Sequence, residues 1–303
     1  MKLSTVLQFI GMGVIWGASF LFIKIALGGL SFGQVAWTRL ILGTLALTIV
    51  VLFMRAKLPR EPIVYVHFLV IGITFCVIPH LLFSWAEQYV TSGLASIYNA
   101  TTPIMTAIIA ALVFRVEKLV GGQVLGIAIG IIGVIVIIGP WRAAALEGDL
   151  AGQLACLGAT LCYGFSLSYA RKFVSQRPIA GATYAFLNIG MAGVVMALLT
   201  PVVALGPVSL NPAIVASLLT LGILGTGVAY VWNINVLRAW GPTAASTVTY
   251  VTPVVGVALG IIVLGETLSW NEPVGALLVL VGILFAQRRI KLGRRQAVIS
   301  VHG

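Results

Sequence analysis

The sequence predicts an all-α membrane protein with ten transmembrane helices, arranged as two inverted five-helix repeats with both termini cytoplasmic. Three observations carry that expectation: apolar runs of membrane-spanning length, a one-sided distribution of Lys and Arg, and a self-similarity at mid-chain. Of the 303 residues, 60% are hydrophobic and only 8% are charged, and the mean hydropathy is +1.12. Soluble domains carry about 25% charged residues. Too few charges are present to clothe a water-facing surface, which excludes a soluble enzyme, a disordered chain, and a collagen-like or disulfide-rich scaffold. The net charge of +11 would suggest nucleic acid in a soluble protein. In a membrane protein it marks the cytoplasmic side, so no nucleic-acid partner is expected.

A spanning helix needs about 20 apolar residues. Apolar runs interrupted by Gly, Pro or charge place spans at 3–28, 33–54, 63–86, 92–114, 119–139, 150–172, 179–204, 212–237, 242–264 and 272–288. The first run is too long for a signal-peptide core and reads as a retained span. Strand-period alternation is absent, which argues against a β-barrel. With the N-terminus inside, fifteen of the 18 Lys and Arg fall on the cytoplasmic side and only Arg142 falls opposite; Lys24 and Arg39 lie within spans. One missed or invented helix would invert every later loop and destroy this asymmetry, so the charge map supports the count. The tail, residues 291–303, is basic and reads as a topology anchor touching anionic lipid.

The chain repeats itself. Ala95-Ser96 and Pro103 match Ala245-Ser246 and Pro253 at a spacing of 150, and Trp16-Gly17 and Lys24 match Tyr163-Gly164 and Arg171 at a spacing of 147. The repeats are placed at 1–145 and 146–290. Five spans per repeat is an odd number, so the second repeat enters the bilayer from the other side. Inverted repeats of this kind characterise alternating-access transporters, with a substrate site near the midplane.

The segments "GVIWGASFLFIKIAL", "QVAWTRLILGTLAL", "SGLASIYNATTPIMTAIIAALVFRVEKL" and "AASTVTYVTPVVGVALGIIVLGETL" resemble EamA-type carriers of the drug/metabolite transporter superfamily. The resemblance covers residues 1–290. It implies the ten-helix fold of that superfamily and the transport of small metabolites, amino acids among them. One departure is that Arg115-Val116-Glu117 stands in the first repeat where the second has Gly265-Glu266, which puts the placement of Glu117 in question.

Charge is scarce inside the spans, where each charged side chain costs about 2.5–3.5 kcal/mol on insertion scales. No Asp or Glu falls near a span centre; Glu87, Glu117, Glu266 and Glu272 sit at ends or in loops. No midplane carboxylate relay, metal site or catalytic set is therefore expected, nor any cofactor or enzymatic activity. Cys76, Cys156 and Cys162 lack metal-site spacing and read as packing residues. Lys24 and Arg39 read either as snorkelling side chains or as a carboxylate-binding or interhelical clamp. His80, after Pro79, reads either as a packed histidine or as a cavity residue that binds substrate or carries a proton.

Positions equivalent by the repeat should line one central axis. His80 pairs with Tyr230, Phe83 with Asn233, Trp16 with Tyr163, and Tyr98-Asn99-Ala100 with Val248-Thr249-Tyr250. The candidate substrate-binding residues are accordingly Trp16, His80, Tyr98, Asn99, Tyr163, Tyr230, Asn233 and Tyr250. Pro103 and Pro253, each removing a backbone hydrogen bond at mid-span, are the candidate hinges. Gly122, Gly126 and Gly130 form a small-residue stripe that permits close helix contact, within the chain or in a dimer. Since both repeats lie in one chain, a monomer is expected.

The functional expectation is a multi-pass secondary transporter of a bacterial inner membrane, exporting amino acids of aromatic or apolar character. Its rivals are an exporter of drugs or of other metabolites such as nucleotide or sugar derivatives, a channel, and a non-transporting membrane scaffold.

Overall fold

The computed structural model describes residues 3–141, 149–245, 247–287 and 289. Arg142 and the basic tail 291–303 lie outside the described residues. The described residues are helical, without strands. Eight helices are long and apolar enough to cross a membrane: α1 (Leu3–Ala26), α2 (Phe32–Phe53), α3 (Pro62–Ala86), α4 (Ser92–Leu112), α5 (Gly121–Ile138), α6 (Leu150–Phe173), α7 (Gly181–Leu198) and α8 (Pro212–Trp240). Two shorter apolar helices follow, α9 (Val248–Leu264) and α10 (Asn271–Ala286).

Local chemistry sets the boundaries. Ser31 caps α2 in a capping box with Gln34, Thr91 caps α4 through Leu94 N–H, and Asn211 caps α8 through Ile214 N–H, with Pro212 at the first helical position. Each cap satisfies an N–H group that no helical carbonyl reaches. Gly265 ends α9 at φ 65°, and Arg115 takes the same left-handed conformation (φ 54°) just beyond α4. There the arginine carries about 1–2 kcal/mol of strain that glycine avoids.

Large apolar side chains such as Leu45, Ile49 and Leu52 on α2 and Ile131, Ile132 and Ile135 on α5 are exposed. Ser84, Ser96, Thr101, Thr160 and Asn188 are buried. Apolar outside and polar inside is the arrangement that hydrocarbon requires.

Contacts between connections define two ends of the bundle. At the Lys24 end, Ser209 N–H donates to Gly29 carbonyl (2.9 Å), and Gln34 Nε2 reaches the carbonyls of Ala204 and Gly206. At the Arg238 end, Arg177 pairs with Glu61, Arg171 pairs with Glu117 (2.7 Å), and Thr183 Oγ1 donates to Lys57 carbonyl.

The two halves of the chain are interleaved. α1 packs on α9, and α6 packs on α4. Glycine makes both crossings possible. A Cβ on Gly17 would sit 2.8 Å from Thr252 carbonyl oxygen and 2.6 Å from Val255 Cβ. A Cβ on Gly164 would sit 2.8 Å from Met105 carbonyl carbon and 2.9 Å from Thr106 nitrogen. α5 and α10 pack together in the same manner, with Gly126 against Gly282 and Gly133 against Gly275. The small-residue stripe on α5 is thus used inside the chain, where Gly130 also receives Ile104 of α4.

Two features depart from the sequence expectation. Helical structure continues through 238–245 as the end of the Ala229–Ala245 segment, where the span reading places a loop and the start of span nine. α3 and α8 each contain a π-helical stretch, Gly72–Val77 and Thr220–Val228. These stretches fall at corresponding places in the two repeats, Gly72–Val77 lying within the counterpart of Thr220–Val228, and precede His80 and Tyr230. A π segment adds a residue to a turn and re-aims the side chains after it, which hydropathy cannot register.

Gly17→Ala and Gly164→Ala are each expected to destabilise the fold by about 1–3 kcal/mol, the usual cost of overpacking. Thermal unfolding of the purified variants in one detergent checks this. Gly121→Ala, whose Cβ meets nothing within 4 Å, should leave the midpoint unchanged.

Candidate functional site

A chamber of about 210 Å³ lies where α1, α2, α3, α4, α6, α8 and α9 meet. Trp16, Ser19, Phe20, Arg39, His80, Phe83, Asn99, Tyr163, Tyr230 and Thr249 are among its walls. A second chamber of about 440 Å³ shares Phe75, Leu167 and Tyr230 with the first and continues past Asn188 and Asn233 to Ile179, Gly181 and Arg238. The cavity therefore runs from mid-bundle to the Arg238 end. The larger chamber falls within the about 300–1,000 Å³ usual for small-molecule sites.

Five of the eight sequence-derived site residues, Trp16, His80, Asn99, Tyr163 and Tyr230, line the central chamber, and Asn233 lines the second. Tyr98 and Tyr250 do not line either chamber. Tyr98 is fully buried in the packing core and its hydroxyl donates to Gln153 Oε1 (2.6 Å). Tyr250 bonds Gln287 Oε1 (2.6 Å). Successive residues of a helix point about 100° apart, so of Tyr98 and Asn99 only one can face the cavity. Pro103 lies in the first turn of the second segment of α4 (Thr102–Leu112), after a turn at Ala100–Thr101, whereas Pro253 lies within continuous α9.

The aromatic walls hold one another. Trp16 and Tyr230 meet edge to face with centroids 5.8 Å apart, and Tyr163 lies 5.0 Å from Phe75. Phe20 and Phe83 meet edge to face at 5.5 Å, and Phe83 and Tyr163 lie 6.1 Å apart. Such geometries favour aromatic pairs by about 0.5–1.5 kcal/mol beyond area burial. Trp16 Nε1 donates to Gly225 carbonyl (3.0 Å), a group inside the π stretch of α8. The loosened helix thus supplies the acceptor that positions the indole.

Arg39, read from sequence as a snorkelling side chain or as a carboxylate-binding or interhelical clamp, lines the central chamber and donates from Nε to Thr226 Oγ1 (3.3 Å). Its remaining guanidinium N–H groups are the strongest donors on the wall. His80 Nδ1 and Ser166 Oγ are buried and have no hydrogen-bond partner among the described residues, one beside each chamber. Buried polar atoms are normally paired, which marks both as contacts a ligand would complete. No acidic residue lines either chamber.

Polar contacts tie the connections together at the Lys24 end. Glu266, between α9 and α10, accepts from Ser92 N–H (2.7 Å), Gly93 N–H (3.0 Å) and Ser92 Oγ (3.1 Å) at the start of α4. A carboxylate on unpaired helix N–H groups is favoured by hydrogen bonding and by the helix dipole. A Cβ at Gly260 would lie 2.3 Å from Glu266 Oε2, so only glycine leaves room for the carboxylate to fold back. Lys24 Nζ donates to the carbonyls of Glu87 and Val90, tying α1 to the α3–α4 connection. Glu117 is placed differently from Glu266, as its sequence context suggests: it accepts from Arg171 Nη1 (2.7 Å) and Gln123 Nε2 (3.1 Å).

Residues 3–139 and 150–287 each match the EamA-like transporter family. The chain belongs to that family. A transporter from Archaeoglobus fulgidus is 30% identical over 275 residues, covering 90% of this chain and 95% of its own length. A probable terminal-alkyne amino-acid exporter from Streptantibioticus cattleyicolor is 28% identical over 98% of this chain and 97% of its own. An inner membrane transporter of Escherichia coli K12 is 28% identical over 93% of this chain and 88% of its own. A solved structure shares the fold over 95% of this chain and 99% of its own, with a TM-score of 0.61 and 21% sequence identity. The chain is thus a multi-pass transporter of the inner membrane and not an enzyme.

Trp16→Phe keeps the aromatic wall and removes the N–H that pairs Gly225 carbonyl. It should cost about 1 kcal/mol, read as a lowered thermal midpoint, while Tyr163→Phe should cost less.

Proposed function

We propose that this transporter exports an amino acid with an apolar or aromatic side chain by alternating access, and that the structure is its cytoplasm-open form. The observation that carries this reading is the cavity itself: aromatic on most walls, provided with Arg39, and free of acidic residues along both chambers. The Arg39 guanidinium suits a substrate carboxylate, held in the geometry that makes such pairs strong. Trp16, Phe20, Phe83, Tyr163 and Tyr230 suit an apolar body. Asn99 and His80 offer polar contacts for an amino group. A cationic drug would find no counter-charge on these walls, which weighs against the multidrug alternative.

In this reading the basic Arg238 end is cytoplasmic, following the positive-inside rule, and the Lys24 end is external. The halves act as inverted repeats of five spans each, and the π stretches of α3 and α8 and the breaks near Pro103 and Thr247 let them rearrange. Glu266 on the start of α4 is the outer latch. Substrate enters past Arg238, seats in the central chamber, and leaves when the latch parts. The amino-acid exporter named among the relatives supports the substrate class.

Proteoliposomes loaded with radiolabelled phenylalanine test the substrate. Efflux is expected from the wild type, with a loss of about tenfold or more in Arg39→Met, the effect of removing a charge-assisted pair. Absence of amino-acid flux alongside transport of a nucleotide sugar would defeat the reading. The latch is tested separately by pulsed EPR between spin labels at Tyr89 and Trp270, both exposed at the Lys24 end. Glu266→Ala should lengthen that distance by populating the outward-open form.

A further inference from the structure

Glu87 is the side chain the transport route does not use and the fold does not explain. It follows the last residue of α3, where the sequence suggests a surface position. In the structure it is 0% exposed, and neither carboxylate oxygen has a hydrogen-bond partner among the described residues. Two such atoms on one acid are costly when ionised and far less so when the acid is neutral.

Its location is specific. Lys24 lies one helical turn beyond Phe20, and Glu87 lies one turn beyond Phe83, so both sit directly outside the Phe20–Phe83 pair that walls the central chamber. Lys24 Nζ spends its hydrogen bonds on the backbone carbonyls of Glu87 and Val90, and no ion pair within 4.0 Å joins it to the Glu87 carboxylate. Four titratable groups on other elements interact electrostatically with Glu87: Lys24 of α1, Arg39 of α2, Cys156 of α6, and Glu266 of the α9–α10 connection. Burial pushes the Glu87 carboxyl well above the usual carboxylate range; Lys24 and Arg39 oppose that rise and Glu266 adds to it.

We propose that Glu87 is a proton-binding site of the carrier, loaded while the outer end is shut and exchanging its proton when that end opens. The ligand is the proton itself, and the step is simple acid dissociation: the Glu87 O–H bond breaks to external water and reforms on closure. Closure removes the water that stabilises the carboxylate, so the shut form binds the proton more tightly than the open form. A proton bound more tightly in the shut form favours closure at low external pH, and that preference fades as pH rises through the elevated value. External acid would thereby bias the carrier toward its outer-shut form, with no net proton transfer across the membrane. The proton site stands on burial alone; its coupling to opening rests on the alternating-access reading.

Infrared difference spectra of the lipid-reconstituted protein across a pH titration test the site without any substrate. A protonated carboxylic acid band is expected to persist above the ordinary carboxylate range, to vanish in Glu87→Gln and to shift in Glu87→Asp. Thermal unfolding gives a second reading. Because the folded state raises this acid, wild-type stability, read as Tm, should fall as pH climbs above about 4.3. Glu87→Gln should hold its Tm across the same range. No band lost in Glu87→Gln, or a Glu87→Gln protein that is less stable at every pH with an unaltered slope, would overturn the site. The coupling is read from the Tyr89–Trp270 label distance, which should shorten as pH falls in the wild type and stay fixed in Glu87→Gln. A distance that ignores pH yet responds to Glu266→Ala would overturn the coupling alone, and one that ignores both would overturn the alternating-access reading.

Discussion

Two backbone contacts hold the functional architecture in place. Gly17 brings α1 against the Thr252 carbonyl of α9, and Gly164 brings α6 against Met105 and Thr106 of α4. Hydrocarbon offers no hydrophobic drive to press helices together, so association depends on close van der Waals approach. Glycine supplies it at the two crossings. The residue preceding each glycine, Trp16 or Tyr163, is then delivered to the wall of the central chamber. The same motif that brings the halves together also furnishes their shared cavity.

The π stretches in α3 and α8 complete that arrangement. Their placement in step with the repeat puts His80 and Tyr230 on the cavity, and the α8 stretch leaves Gly225 carbonyl free to accept from Trp16. Irregular backbone is tolerated at membrane depth where neighbouring groups satisfy it, and here a cavity residue provides part of that satisfaction. Order in the aromatic wall and distortion of the helix are two sides of one interaction.

The two ends of the bundle differ in their contacts. At the Lys24 end, Glu266 caps the start of α4 and Lys24 binds the α3–α4 connection. Both contacts join segments far apart in the chain. At the other end the second chamber passes between α3, α6, α7 and α8 to Arg238. The asymmetry has a chemical origin in the departure at Arg115-Val116-Glu117. The extra residue sends Glu117 to Arg171 and Gln123, and Ala110 stands where Gly260 makes room for the folded-back Glu266.

Much of this was legible in the sequence because hydrocarbon imposes a strict grammar. Span length, charge scarcity and the pairing of Trp16-Gly17 with Tyr163-Gly164 are one-dimensional signals, and they led to an all-helical membrane transporter and to Trp16, His80, Asn99, Tyr163, Tyr230 and Asn233 on cavity walls. Tertiary structure alone decided what depends on rotation and burial. It turned Tyr98 toward Gln153 instead of the cavity and brought Arg39 into the chamber. It extended helix through 238–245 and buried Glu87 beneath the α3–α4 connection. Hydropathy reports how apolar a segment is and where it ends. Which side of a helix faces a partner, and whether a charged residue at its end meets water, is set by packing between segments far apart in the chain.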